Sequence, residues 1–210
     1  GGYRPPVPER TADFGNVRIA YDDDVLEPRA WTIEQSRWAV ELAADLSDGP
    51  VLELCAGAGQ IGLLVAVRTG RRLVQVDADQ RACAYALRNA EAAGVEPDVR
   101  CGDLEGAVGR AERFPLVLAD PPYIRAQEVD DLPEDPERAI DGGADGLDVA
   151  RACLGVAARH LAPDGRMLIQ LGGPDQAATL AAEAPARGLR VLDIRTPGPD
   201  RALLLLAADG

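Results

Sequence analysis

The chain contains no lysine. All 22 of its basic residues are arginine, set against 35 acidic ones, for a net charge of −13. That balance argues against a broad cationic footprint of the kind that displaces counterions from nucleic-acid phosphates, leaving room for a local basic patch only. The exclusive use of arginine, with abundant alanine, reads as genomic composition rather than function. Histidine occurs once, and Cys55, Cys83, Cys101 and Cys153 show no C-x-x-C spacing, so a zinc cluster has few ligands to draw on and no metal site is expected. Buried free thiols are the expectation for the four cysteines. No apolar run approaches the ~20 residues of a membrane span, and no basic start followed by an apolar stretch marks export. These absences predict a soluble, cytoplasmic protein, and 210 residues suit one domain.

Residues 1–12 are rich in proline and arginine without periodicity, which predicts a loose lead-in. Alternation over residues 14–20 predicts a short strand, followed by the acidic turn Asp22-Asp23-Asp24 and a loop to Thr32, which can cap a helix carrying Trp38, Leu42 and Leu46 at helical spacing. Strands and helices then alternate. Strands are expected at 51–55, 72–77, 97–101, 115–120 and 166–171, and helices at 60–68, 79–93, 104–110, 147–161 and 175–187. The last two strands, 189–195 and 202–208, are joined by a link too short for a helix and should pair as an antiparallel hairpin. This order predicts an α/β fold of three layers, with a mostly parallel seven-stranded sheet ending in an antiparallel hairpin. Residues 125–145 are polar and broken by Pro133, Pro136 and Gly142-Gly143, the pattern of a functional loop.

Two stretches carry chemistry. Leu54-Cys55-Ala56-Gly57-Ala58-Gly59-Gln60-Ile61-Gly62 runs from a strand into a helix and contains G-x-G-x-x-G, whose glycines let the backbone approach a ligand at a helix amino terminus. Asp77, twenty residues after Gly57 at the end of the next strand, can accept both hydroxyls of a ribose. These features alone also suit a dinucleotide enzyme. The second stretch, Asp120-Pro121-Pro122-Tyr123-Ile124, follows an apolar strand. Its prolines cannot donate backbone hydrogen bonds, so Asp120 is held at the carboxyl end of a strand, where open α/β sheets bind ligands.

Glu53 separates the two readings of the glycine loop. An acid just before it, in Val51-Leu52-Glu53-Leu54-Cys55-Ala56-Gly57-Ala58-Gly59, resembles motif I of class I S-adenosylmethionine (SAM) methyltransferases. The resemblance implies a SAM site built from Glu53, Ala56, Gly57, Gly59, Asp77, Ala78, Asp103 and Leu104, with S-adenosyl-L-homocysteine as product. Asp103 matches the acid that contacts the adenine amino group in that family, and it also suits a helix N-cap. Asp120-Pro121-Pro122-Tyr123 resembles the motif of methyltransferases acting on planar NH2 groups. It implies that the Asp120 carboxylate and the Pro121 carbonyl accept hydrogen bonds from the nitrogen while Tyr123 stacks on the acceptor.

Three further stretches resemble the protein glutamine N5-methyltransferases that modify translation release factors: Val25-Leu26-Glu27-Pro28-Arg29-Ala30-Trp31-Thr32, residues 136–148 around Gly142-Gly143, and Leu168-Ile169-Gln170-Leu171-Gly172 with Gln176. Arg29, Trp31, Thr32 and Gly143 are the implied substrate or lid residues. Arg29 could equally form a loop salt bridge, and Trp31 is expected to pack over the cofactor entrance. The implied organisation is a lead-in (1–12), a cap over the cofactor site (13–48) and a methyltransferase core (49–210), without the helical amino-terminal domain of the release-factor enzymes. The sequence departs from the family in having Asp120 where asparagine is usual, Ala30 and Trp31 for proline and glutamate, and Gln170 for glutamate. The expected activity is in-line methyl transfer to a glutamine amide of a protein substrate. A nucleic-acid amino methyltransferase, a small-molecule methyltransferase and a non-catalytic SAM-fold scaffold are the alternatives.

Overall fold

The computed structural model describes residues 8–209. It opens with a hairpin in which β1 (Arg10–Phe14) and β2 (Val17–Tyr21) pair antiparallel across Gly15-Asn16. Gly15 takes a φ of +60°, as the primed turns that join twisted strands require. The single strand expected over residues 14–20 is therefore two strands. The lead-in expected over 1–12 yields Arg10, Thr11 and Ala12 to β1, and its first seven residues lie outside the described part.

A 3-10 turn at Ala30–Thr32 leads into α1 (Ile33–Ala43), followed by β3 (Val51–Leu54), α2 (Gln60–Thr69), β4 (Leu73–Asp77), α3 (Gln80–Ala92), β5 (Asp98–Cys101) and β6 (Phe114–Ala119). Then come α4 (Glu137–Ile140), α5 (Asp148–His160), β7 (Leu161–Leu171), α6 (Pro174–Glu183), β8 (Leu189–Gly198) and β9 (Arg201–Ala208). Seven strands form one sheet in the order β5-β4-β3-β6-β7-β9-β8. The five strands from β5 to β7 run parallel, and β9 lies antiparallel to both β7 and β8. The chain leaves β3 toward β4 and β5, then returns to β6 on the opposite side, which opens a crevice at the carboxyl ends of β3 and β6.

Period-two alternation divides the core between the two faces of the sheet. Val51, Leu73, Leu116 and Leu168 pack with Trp38, Ile61, Leu64 and the hairpin residues Phe14 and Ile19. Leu52, Val74, Val117 and Ile169 pack with Ala150, Leu154 and Leu180 of α5 and α6. The carboxyl end of α1 is closed by an arginine rather than a glycine. The Arg71 guanidinium donates to the carbonyls of Ala43, Leu46, Ser47 and Gly49 at 2.7–3.1 Å, where a cation also suits the helix dipole.

Several boundaries differ from expectation for local reasons. Residues 104–110 form turns rather than a helix: Gly106 and Gly109 interrupt the segment, and Arg100 takes the Ala107 carbonyl. Asp103 is consequently not a helix N-cap. Thr32 precedes α1 but makes no side-chain cap, because its hydroxyl donates back to the Arg29 carbonyl at 2.8 Å. Pro185 splits the expected 175–187 helix into α6 and a 3-10 turn at Pro185–Arg187. The polar 125–145 stretch is ordered by a 3-10 turn at Ala126–Asp131, by α4 and by a bridge between Ile124 and Asp141. Cys101 is exposed, whereas Cys83 and Cys153 are buried.

Candidate active site

The strand ends converge on a cavity of about 440 Å³, within the ~300–1,000 Å³ range of small-molecule sites. Its wall includes Cys55 to Gly57 after β3, Asp77 to Asp79 after β4, Asp103 and Leu104 after β5, and Asp120 and Pro122 after β6. Asp24 to Leu26, Gln60, Pro136, Arg138, Ala139 and Asp148 also line it. Six aspartates and one arginine therefore face this space, a negative environment suited to a cationic ligand.

The β3–α2 turn is built from unusual backbone. Cys55 has a φ of +56°, the one positive value at a non-glycine position among the described residues, and Gly57 and Gly59 follow at +55° and +87°. A Cβ at Gly57 would meet nothing within 4 Å, so its open side faces the cavity, where a ligand can come against bare backbone. Gly59 serves packing instead: a Cβ there would lie 2.5 Å from Gln75 Nε2 and 3.2 Å from Ala86. Asp77 holds the turn from the next strand, its Oδ2 accepting from Gly57 N–H at 2.8 Å and its Oδ1 from Asp79 N–H at 2.9 Å. Burial pushes its carboxyl up, against the lowering effect of these backbone donors.

Glu53 lies beneath the turn and does not line the cavity. It is 2% exposed, with Oε1 accepting from Gly62 N–H at 3.0 Å and Oε2 from Gln75 Nε2 at 2.7 Å. Burial pushes its pKa to about 7, outweighing both donors. Asp120 contrasts with it. Among the described residues nothing donates to the Asp120 carboxylate, and burial alone pushes its pKa to about 7. A carboxylate set in the wall of a cavity without a donor is arranged to receive one from a ligand.

Residues 36–134 match the family described as methyltransferase small domain. A ribosomal protein uL3 glutamine methyltransferase from Burkholderia pseudomallei is 32% identical, the match covering 95% of this chain and 68% of the relative. A release factor glutamine methyltransferase from Cereibacter sphaeroides is 35% identical over 89% of this chain and 68% of its own. The chain belongs to the protein glutamine methyltransferase family. Among solved structures, a methyltransferase from Pyrococcus furiosus has the same fold, with a TM-score of 0.68 at 21% identity, covering 93% of this chain and 90% of that one. The three-layer architecture is thus the class I methyltransferase fold, the chain is an S-adenosylmethionine-dependent methyltransferase, and SAM is its cofactor.

In this methyltransferase the two loops that flank the cavity are tied together. The Arg29 guanidinium contacts both oxygens of Asp135, at 2.5 and 2.6 Å, joining the segment before α1 to the 125–145 segment. Arg29 and Arg201 both lie against the Trp31 ring, 5.5 and 4.8 Å from its centroid. Arg29, Trp31 and Thr32 therefore form a cluster beside the cavity rather than part of its wall. Gly143, at φ +87°, also stays out of the wall; a Cβ there would collide with the Asp148 carboxylate at 2.0 Å.

Pro121 and Tyr123 adjoin Asp120 and Pro122 but are not part of the cavity wall. Tyr123 is clamped by Gln176, whose Nε2 donates to the Tyr123 carbonyl at 2.9 Å while its Oε1 accepts from Gly172 N–H at 2.9 Å. A Cβ at Gly172 would meet the Tyr123 ring at 2.8 Å, so the glycine makes room for the aromatic. Burial pushes the phenol up to about 12 and keeps it neutral.

Three supporting residues carry no motif. Gln35 of α1 reaches over the sheet, its Nε2 donating to the carbonyls of Ala119 at 2.9 Å and Leu168 at 3.0 Å, which fixes β6 and β7 one residue before Asp120. Asp22, fully buried, accepts from Arg81, from the Tyr85 hydroxyl at 2.8 Å and from Asp24 N–H at 3.0 Å, anchoring the acidic turn whose last residue lines the cavity. Gln60 is the third, and its Oε1 has no partner. For Gln60 a polar side chain among small apolar residues was the available signal, whereas Gln35 and Asp22 stand among other polar residues and nothing local marks them. The Cys55 thiol, 3.9 Å from that of Cys153, is pushed well up by this contact and by burial, so it is no nucleophile.

Proposed function

We propose that this enzyme methylates the side-chain amide nitrogen of a glutamine in a protein of the translation apparatus, and that it works in the cytoplasm. The observation carrying this reading is the unpartnered Asp120 carboxylate, held in the cavity wall by Pro121-Pro122 at the end of a fully buried strand. The acceptor chemistry follows the relatives, which are named for glutamine methylation of ribosomal protein uL3 and of release factors.

The cavity suits the cofactor on three grounds. Its acidic wall matches a ligand of net positive charge, Gly57 leaves backbone bare toward it, and Gln60 presents an orphaned polar atom. Each Asp77 oxygen accepts one backbone bond and retains a lone pair for a ribose hydroxyl. Asp103, exposed on the wall beyond β5, is available to accept from the adenine amino group. SAM supplies a methyl group already activated on a sulfonium.

The protein's own task is orientation. An amide nitrogen shares its lone pair with the carbonyl, and a rotation barrier of ~18–20 kcal/mol in the related peptide bond measures that sharing. It is a poor nucleophile unless its N–H groups are held by acceptors that turn it toward the methyl. Asp120 accepts one N–H and the Pro121 carbonyl the other, while Tyr123 covers the planar group and excludes water. Holding both reactants in line contributes on the order of 7–11 kcal/mol in favourable cases. Asp120 in place of asparagine keeps the acceptor and adds a charge.

A nucleic-acid acceptor fits less well, since the cavity presents six aspartates to a polyanion. The test is incubation with methyl-labelled SAM and, separately, purified release factor and ribosomal protein uL3, with peptides read by mass spectrometry. A methyl group on a glutamine of either supports the proposal. Label on neither, with transfer to RNA instead, overturns it.

A further inference from the structure

A zwitterionic amino-acid group needs acceptors for its ammonium and donors for its carboxylate. The acids nearest the glycine turn are already engaged. Both Glu53 oxygens accept from Gly62 and Gln75 beneath the turn, and each Asp77 oxygen accepts a backbone N–H. Gln60 is different. It is the first residue of α2, it lines the cavity immediately after the glycine turn, and it is 9% exposed. Its buried Oε1 has no hydrogen-bond partner. An orphaned buried acceptor is costly to the fold, and a ligand donor would recover that cost.

The backbone beside it completes the pattern. Gly59, the N-cap of α2, offers no side-chain cap, and the N–H groups of Gln60 and Ile61 have no acceptor among the described residues. A ten-residue helix therefore presents two free donors and the positive end of its dipole next to one free acceptor. We propose that Gln60 reads the amino-acid end of the cofactor, its Oε1 accepting from the α-ammonium while the adjoining helix terminus receives the carboxylate. The inference rests on the cavity being the SAM site and is independent of which acceptor is methylated.

Calorimetry on the full chain tests it with two probes, S-adenosylhomocysteine, which carries the amino-acid end, and 5′-methylthioadenosine, which lacks it. Gln60→Leu is expected to weaken S-adenosylhomocysteine binding about 10- to 100-fold while leaving methylthioadenosine within about twofold. Gln60→Glu, which keeps an acceptor, should hold S-adenosylhomocysteine affinity within about threefold. Removing an unpaired buried polar group should leave the ligand-free melting temperature unchanged or higher, and Gln60→Met serves if the leucine variant fails to fold. Equal loss for both probes, or no loss for either, overturns the role of Gln60. Failure of the unaltered protein to bind either probe would instead overturn the assignment of the cavity to the cofactor.

Discussion

Replacing Asp120 by asparagine is expected to raise stability and lower activity, each in a pH-dependent way. The carboxyl moves from its ordinary 3.8 to about 7 in the folded chain because burial disfavours its charge and nothing donates to it. At ~1.36 kcal/mol per pH unit this corresponds to roughly 4 kcal/mol between its charge states, which solvent reaching a half-buried group reduces to about 1–3 kcal/mol. The sign follows from proton binding. Between pH 4 and 7 the folded state holds a proton that the unfolded chain has released, so the native protein loses this stability as pH rises. A neutral amide at this position escapes that loss, and the Asp120→Asn variant should be about 1–3 kcal/mol more stable at pH 8 and equal at pH 4. Glu53, also pushed to about 7, contributes a similar slope to both proteins and largely cancels in the difference. Urea unfolding followed by tryptophan fluorescence measures it; Trp38 is buried and so reports on the core.

Activity should respond in the opposite sense. Below pH 7 the protonated Asp120 keeps only a neutral carbonyl acceptor, so methyl transfer should fall with pH and level off near the rate of the asparagine variant. The asparagine variant should lose that acid limb. At pH 8 it should be about 5- to 30-fold slower, from exchanging a charged for a neutral hydrogen bond worth ~1–2 kcal/mol less. A variant that is no more stable at pH 8, or that keeps an acid limb near pH 7, refutes the assignment of Asp120 as the solitary carboxylate at the reacting centre.

Other expectations concern the supports. Gln176→Ala removes the bonds to Tyr123 and Gly172 and should slow methyl transfer about tenfold, for a loss of ~1–2 kcal/mol, with little change in S-adenosylhomocysteine affinity by calorimetry. An equal loss of affinity would place Gln176 in the cofactor site instead. Gly59→Ala adds a Cβ 2.5 Å from Gln75 Nε2 at a φ of +87° and should lower stability by about 1–3 kcal/mol in thermal melts. Asp22→Asn should destabilise by about 1–3 kcal/mol at pH 7. Burial alone would raise the Asp22 pKa, but Arg81, Tyr85 and the Asp24 amide lower it, so that stability is present above the unfolded carboxylate range and lost as pH falls through the folded value. Urea midpoints that converge for this variant and the native protein at low pH are the check.

Short-range pattern was enough for the parallel core. Apolar runs such as 114–119, ending at Asp120-Pro121-Pro122, declare buried strands because prolines stop a ladder and burial on both faces needs continuous apolar residues. The glycine turn, the acids at strand ends and the terminal hairpin were legible for the same reason: each depends on neighbours within a few residues. The weak segments failed where a remote group took over. The 104–110 helix gives way to turns partly held by Arg100, and Thr32 turns its hydroxyl back to Arg29 instead of capping α1. Only the tertiary structure decided which polar groups were left for a ligand. Glu53, prominent in the motif, is bonded to Gly62 and Gln75 beneath the turn, whereas Gln60, at a variable position of the glycine motif, lines the cavity and keeps its buried oxygen unpartnered. Hydrogen-bond partners separated by nine, twenty-two or more residues are chosen by how the layers pack, and local sequence carries no record of that choice.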